Sequence, residues 1–277
     1  MTVIAPATAG SPAAGVAPVA PRVRLRPLTE EAVFIRRSIL HSLRTPDQLI
    51  MAIALPTILM LMFVWVFGGA LQSDGGYVDY VTPGIILLCA GYGAASTAVD
   101  VAHDMTAGII DRFRTMPIRA SAVITGHVVA SLLRNLVATA VVIGVGIAVG
   151  FRPHAGLAQW LAVAGLVALY ILVITFLFAG IGLAASSPDA ANGYGFILMF
   201  LPYVSSAFVP VDTMPAWLRG IAEHQPLTPI IDTIRGLLLG TGIHSADGWW
   251  ALGWCALILA VGIAGSAWLF RRRAGRR

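Results

Sequence analysis

One short charged segment interrupts an otherwise strongly apolar sequence. Residues 108–118, GIIDRFRTMPI, contain Asp111, Arg112 and Arg114, whereas only 11% of the whole chain is charged. Apolar side chains lie between these charges, and Pro117 disrupts any helix that reaches it. A segment this short cannot fold alone, but it can dock in a groove on a soluble partner through apolar knobs and specific polar contacts. The alternative is an ordinary basic loop that only sets membrane topology.

Two further charges fall inside apolar stretches. Asp100 lies near the end of one stretch, and Arg134 lies about two turns into the next. Charges within a membrane are costly and are usually paired or functional. We therefore expect Asp100 and Arg134 to approach each other near the inner face, although Arg134 can instead extend its side chain to the interface.

The segment 207–240 is too long and too apolar for a simple loop. Thr228 and Pro229 form a typical helix start, with Thr as the cap and Pro at the first helical position. Gly240 can end that helix. We expect two short helices that enter the membrane surface or lie on it, and they serve either as an exit gate or as a structural lid.

The other reactive residue types form no catalytic pattern. The sequence has no Lys, so the usual phosphate-binding loop cannot exist, and none of the six His residues lies four positions from another. Cys89 and Cys255 fall within apolar stretches and are expected to act as small apolar side chains. We expect no metal, nucleotide or other cofactor to be bound by this chain. The net charge of +5 is explained by basic loops rather than by nucleic-acid binding.

Composition places these residues in a membrane protein. The mean hydropathy is +0.84 and 58% of residues are apolar, and a membrane helix needs about 20 such residues. The predicted fold is all-α, with six transmembrane helices at about 49–71, 80–102, 128–149, 160–185, 193–209 and 249–270. Residues 1–28 are predicted to be a disordered tail, 29–48 a helix lying in the interface, 49–270 the transmembrane domain and 271–277 a basic tail.

The arginines predict the orientation. Fourteen of the eighteen lie before the first span, between spans two and three, or after the sixth span. Arginine-rich flanks face the cytoplasm, so both termini and the segment 108–118 are expected there. The expected location is a bacterial cytoplasmic membrane.

Two segments carry a resemblance to a known family. GIIDRFRTMPI resembles the cytoplasmic motif of the permease subunits of type-2 ABC exporters, in the daunorubicin-resistance branch. FVPVDTMPAWLRGIAEHQPLTPIIDTIRGLLLG resembles the same family between its fifth and sixth spans, and the resemblance covers about residues 30–272. The six-span layout and the interfacial helix agree with it.

The resemblance implies a permease dimer above two copies of a separate ABC ATPase, which holds ATP and Mg. The second permease is another copy or a paralogue. A coupling helix would then comprise Gly108, Asp111, Arg112, Phe113, Arg114, Met116 and Pro117, and the region around Arg36 and Arg37 would also contact the ATPase. The outer gate would contain Pro210, Met214, Trp217, Gln225, Pro226 and Arg235.

The expected function is ATP-driven export of an amphipathic drug, antibiotic or lipid-like compound between two copies of spans one, two and five. The chain itself is expected to be a transport subunit, in contact with membrane lipids, and not an enzyme. The alternative is a membrane-embedded lipid-modifying enzyme, and a third hypothesis is a stand-alone channel or scaffold.

Overall fold

The computed structural model describes residues 46–70, 76–107, 120–242 and 245–274. Within these ranges the chain is helical and contains no strand. The helices are α1 (Pro46–Met62), α2 (Tyr77–Thr106), α3 (Ala120–Val149), α4 (Leu157–Ala184), α5 (Pro188–Leu198), α6 (Ala216–His224), α7 (Leu227–Leu239) and α8 (Ser245–Ala274). One π-helical turn, Phe63–Phe67, extends α1, and two 3-10 turns cover Leu201–Val204 and Val211–Thr213.

Five helical segments in the described ranges are long and apolar enough to cross a membrane. They are Asp47–Phe67, Tyr77–Thr106, Thr125–Val149, Leu157–Ala184 and Ala246–Leu269. The prediction of an all-α fold with several membrane spans is confirmed for these five. The first span begins at Asp47, within the segment that was predicted to be the interfacial helix.

The predicted span 193–209 is not one continuous helix. Helix α5 begins earlier, at Pro188, where the Ser187 side chain accepts a hydrogen bond of 3.1 Å from the Ala190 backbone N–H. It ends at Leu198 and is followed by turns and the short 3-10 helix Leu201–Val204. Pro202 lies in that helix and has no backbone N–H to donate, which helps to prevent a continuous α-helix.

Helix α2 lies at the centre of the bundle. It contacts α1, α3, α4, α5 and α7. In the most apolar stretch of this helix 67% is buried inside the protein, compared with 17% in the corresponding stretches of the spans that contain α1 and α8. Small side chains at Ala94, Ala98 and Ala102 pack against α5 and α4, which allows close helix approach. Helix α8 is peripheral and packs on α4 and α7.

Helices α6 and α7 occupy the segment that was predicted to contain two short helices. Gly240 ends α7 with a left-handed φ of 70°, a conformation that glycine adopts without steric cost. The predicted capping role of Thr228 is wrong, because α7 begins at Leu227 and the Thr228 hydroxyl donates instead to the Ala222 carbonyl at 2.6 Å. That these helices enter the membrane or lie on its surface stays a prediction.

Candidate functional site

The predicted coupling segment lies outside the described residues. This applies to Gly108, Asp111, Arg112, Phe113, Arg114, Met116 and Pro117, and equally to most of the predicted interfacial helix. The structure does describe the two helices on either side of the coupling segment, since α2 ends at Thr106 and α3 begins at Ala120.

These two flanking helices are joined by side-chain hydrogen bonds. Nearest the coupling segment, His127 Nε2 lies 3.0 Å from Asp104 Oδ2. One turn further along α3, the Thr97 hydroxyl donates to Ser131 Oγ at 3.1 Å. Ser131 Oγ also lies 3.3 Å from Thr175 Oγ1 of α4. Because positions four apart share one helix face, His127 and Ser131 form a polar edge that fastens α3 to its neighbours.

Arg134 and Asp100 both hydrogen-bond to a third side chain, that of Gln48, which was not predicted from the sequence. The Gln48 amide nitrogen donates to Asp100 Oδ1 at 3.1 Å, and its amide oxygen accepts from Arg134 at 2.8 Å. Arg134 also donates to Ser96 Oγ at 2.8 Å. Arg134 is only 9% exposed, so these contacts replace the water that its guanidinium would otherwise bind.

Gln48 was missed because its sequence context offered no signal. It precedes the predicted first span and was assigned to the end of the interfacial helix. A single amide carries no periodicity and belongs to no motif. In the structure it lies in the first turn of α1, which brings it against α2 and α3.

A second polar cluster lies at the other end of α2. The Arg235 guanidinium pairs with Asp232 and donates to the Ser206 carbonyl at 2.6 Å and to the Tyr80 carbonyl at 3.2 Å. Its central carbon lies 4.0 Å from the centre of the Tyr80 ring, a favourable cation–π geometry. Arg235 thereby joins α7, α2 and the chain that follows α5.

That irregular chain is buried at Pro202 and at residues 205–208, so carbonyl groups there need partners. Four side chains besides Arg235 supply them. Tyr80 donates to the Ser206 carbonyl and Tyr77 to the Phe208 carbonyl, each at 2.9 Å. Gln225 donates to the Val204 carbonyl, and Ser205 donates to the Pro202 carbonyl at 2.5 Å. Side chains from α2 and the side chain of Gln225, directly after α6, therefore help to hold the backbone between α5 and α6 in its non-helical path.

Burial also changes the acidity of Asp232. Loss of solvent raises the pKa of its carboxyl group above the ordinary value, while Arg235 and the hydrogen bond from Ser206 oppose the increase. On the exposed α6, a hydrogen bond with Glu223 raises the pKa of the Arg219 guanidinium.

The residues predicted to form the outer gate do not make one cluster. Gln225 and Arg235 both contact the chain between Val204 and Ser206. Pro226 instead lines an apolar cavity that α2, α4, α7, α8 and the break after α5 enclose. Trp217 is 74% exposed on α6, and Pro210 and Met214 flank the 3-10 turn Val211–Thr213.

A further crevice lies between α1, α2 and α5. It is lined by polar side chains, among them Gln48, Ser96 and Asn192, together with apolar ones such as Met51 and Met199. Two members of the Arg134 cluster therefore form part of its wall.

Comparison with known proteins agrees with this architecture. Residues 30–239 match the model of the ABC-2 type transporter family. The chain is 32% identical over 221 residues to the daunorubicin resistance ABC transporter permease protein DrrB1 of Streptomyces coeruleorubidus, covering 78% of this chain and 74% of the relative. It is 26% identical over 197 residues to the probable doxorubicin resistance permease DrrC of Mycobacterium tuberculosis, covering 70% and 71%. It is 24% identical to the probable multidrug permease YbhR of Escherichia coli, covering 71% and 53%.

These matches and the apolar helices describe a multi-pass membrane protein. The match to the family model extends over most of the chain, from the N-terminal segment before α1 to the end of α7. The chain belongs to the ABC-2 type transporter family.

Proposed function

We propose that this chain is the membrane-spanning permease subunit of an ATP-driven exporter. A separate ABC ATPase, present in two copies, binds ATP and Mg and supplies the energy. A second permease, either another copy or a paralogue, completes the membrane part. Family membership and the permease names of the relatives support this proposal.

The observation that carries the proposal is the set of side-chain hydrogen bonds that connect α2 and α3, the two helices on either side of the predicted coupling segment. The Asp104–His127 contact joins α2 to α3 two residues before α2 ends. The Thr97–Ser131–Thr175 contacts then extend the connection to α4. A force applied between residues 107 and 120 would move these helices together, because bending them apart would break buried polar contacts that are costly to leave unsatisfied.

The proposal includes a sixth crossing, formed by α5 and the irregular chain that follows it. Ala191 of α5 packs with Ala102 and Ala98 of α2, whereas Ala207 lies against Gly84. Residues 84 and 102 of α2 are about 27 Å apart along the helix axis, which is close to the hydrocarbon thickness of about 30 Å. In this proposal the membrane is a bacterial cytoplasmic membrane and the six crossings leave both termini on one side. The arginine distribution supports the cytoplasm as that side.

We propose an amphipathic drug, antibiotic or lipid-like cargo. The crevice between α1, α2 and α5 offers polar and apolar wall residues together, which is the pattern that an amphipathic molecule matches. Transport requires that the cargo contacts differ between inward-facing and outward-facing states, since only a difference in binding shifts that equilibrium. In this scheme the contacts of Gln225 and Arg235 with residues 204–206 belong to the outer gate.

The test changes the charge of the coupling segment. In the variant R112E/R114E, the contacts with the ATPase become repulsive while the transmembrane helices stay unaltered. We expect normal amounts of protein in the membrane, loss of ATPase co-purification and loss of ATP-driven daunorubicin efflux. Daunorubicin serves as the probe because it appears in the name of the Streptomyces relative.

The matched control is R276E/R277E, which makes the same change in net charge within the C-terminal tail. It should keep both the ATPase and efflux. Normal association and efflux in R112E/R114E would show that the coupling assignment is wrong.

A further inference from the structure

The side chain of Gln48 lies between the carboxylate of Asp100 and the guanidinium of Arg134 and is hydrogen-bonded to both. Its amide nitrogen faces the Asp100 carboxylate at 3.1 Å and its amide oxygen faces Arg134 at 2.8 Å. The three residues belong to α1, α2 and α3 respectively. One amide therefore connects three helices at the point where α1 begins.

An amide suits this position for a chemical reason. It is a neutral group that donates from one end and accepts at the other, so it satisfies a carboxylate and a guanidinium at the same time. Glutamate in its ionised form accepts only, and it would face Asp100 as a like charge. Leucine has a similar size but satisfies neither partner, and it would remove one hydrogen bond from each charge.

The location of this bridge gives it a consequence for transport. The first turn of α1 coincides with the end of the segment that was predicted to lie in the interface, and Gln48 and Ser96 line the crevice between α1, α2 and α5. Gln48 is hydrogen-bonded to α2 and α3 and is also part of the crevice wall. A movement of α2 relative to α3 would therefore shift a residue of that wall.

We propose that Gln48 is a positioning residue of the transport cycle, whose amide links Asp100 to Arg134 and so holds the start of α1 against α2 and α3. The mechanical part of this inference rests on the proposed function. The structural part, the bridge itself, does not.

The bridge predicts a rescue that depends on charge. Q48E should be harmful because the carboxylate that it introduces repels Asp100. Adding D100N removes the repulsion, lets the introduced asparagine amide donate to that carboxylate, and places the negative charge directly against Arg134. D100N should not rescue Q48L, because a leucine side chain accepts from neither partner and returns no negative charge to the cluster. A side chain that only fills space would not show this difference.

The first measurement is the thermal unfolding of the purified chain in lipid nanodiscs, followed by tryptophan fluorescence. We expect Q48E, Q48L and D100N each to lower Tm by about 5 °C or more, and Q48E/D100N to come within about 3 °C of wild type. Q48L/D100N should unfold at or below the temperature of either single variant. If Q48E does not accumulate in the membrane, restored accumulation of Q48E/D100N counts as the rescue.

The second measurement is ATP-driven daunorubicin transport by the complex in inverted membrane vesicles. We expect Q48E to lose at least about tenfold in rate and Q48E/D100N to recover at least about half of the wild-type rate. The control is Q159E, which makes the same chemical change in the first turn of α4, where the side-chain oxygen accepts from the Gly156 backbone and still can do so. It should match wild type in both measurements.

The outcomes separate the bridge from the proposed function. Additive losses in Q48E/D100N, equal rescue of Q48L by D100N, or an unaltered Q48E would each overturn the bridge. Rescue of Tm without rescue of transport would confirm the bridge and overturn its role in the cycle. Absence of any ATP-driven transport by wild type would count against the proposed function and cargo, while the Tm measurement would still decide on the bridge.

Discussion

Gly84 determines how closely the irregular chain after α5 can approach α2. A Cβ atom built at this position would lie 2.6 Å from the Cα, the Cβ and the carbonyl oxygen of Ala207. Favourable contacts between carbon atoms occur at about 3.5–4.0 Å, so G84A would force the two segments apart by about 1 Å. That movement would also strain the hydrogen bonds from Tyr77 and Tyr80 to the neighbouring carbonyls of Phe208 and Ser206.

The expected effect on stability is the balance of two terms. Overpacking in a buried contact costs about 1–3 kcal/mol, and alanine in place of glycine inside a helix regains about 0.5–1 kcal/mol. The net loss is therefore about 0–2.5 kcal/mol, which lowers the Tm of a chain of this size by up to about 10 °C. Thermal unfolding of the purified protein in nanodiscs measures this change.

Two further variants make the measurement specific. G144A is the matched control, because a Cβ at Gly144 of α3 meets no atom within 4 Å, and it should raise Tm by about 1–4 °C. G84A/A207G should recover less than half of the loss, since the Cα and carbonyl oxygen of residue 207 remain in the way. A Tm for G84A at or above that of G144A would refute the close approach of the two segments.

Two other expectations concern the Arg235 cluster and the thiols. Because folding raises the pKa of Asp232 above its ordinary value of 3.8, the folded state binds this proton more tightly, and stability should decrease as the pH rises from about 4 through the folded-state pKa. Replacing Asp232 by Asn should flatten that part of the pH dependence in urea unfolding curves, and a steeper curve would contradict the assignment. Replacing Arg235 by Gln removes the cation from the half-buried carboxylate and the hydrogen bonds to the Ser206 and Tyr80 carbonyls, which should cost about 1–3 kcal/mol. D232N/R235Q should lose less than the sum of the two single losses, and strict additivity would contradict the pairing. Cys89 and Cys255 are both fully buried, so a maleimide reagent should label them in urea but not in the folded protein, and rapid labelling of the folded chain would contradict this packing.

The features that the sequence predicted are those with a local chemical cause. Long apolar stretches predicted five of the membrane spans, because composition and length decide whether a helix can cross the bilayer. Gly240 predicted the end of α7 because few residues other than glycine adopt its left-handed conformation. The capping prediction for Thr228 was wrong because a hydroxyl that can cap a helix can equally donate to a carbonyl six residues earlier, and tertiary packing decides between them.

The features that the sequence did not predict depend on contacts between distant residues. The irregular path after α5 follows from side chains at Tyr77, Tyr80 and Gln225, up to 131 positions away along the chain. Asp100 and Arg134 were singled out because charges are rare in apolar segments, whereas the amide between them came from a region that was assigned to a different element. The coupling residues lie outside the described ranges, so their role stays a prediction.

The irregular chain after α5 also has a consequence for the order of biogenesis. Its carbonyls at Val204 and Ser206 receive hydrogen bonds from Gln225 and Arg235, residues that the ribosome adds about twenty to thirty positions later. Until Gln225 has left the translocon, the Val204 carbonyl lacks its hydrogen-bond donor, which lipid cannot replace, and the Ser206 carbonyl has the Tyr80 hydroxyl but not yet the Arg235 guanidinium. The native path of this segment is therefore completed only after α7 has been synthesised, and a nascent chain truncated before Gln225 should hold it in a different, more solvated arrangement.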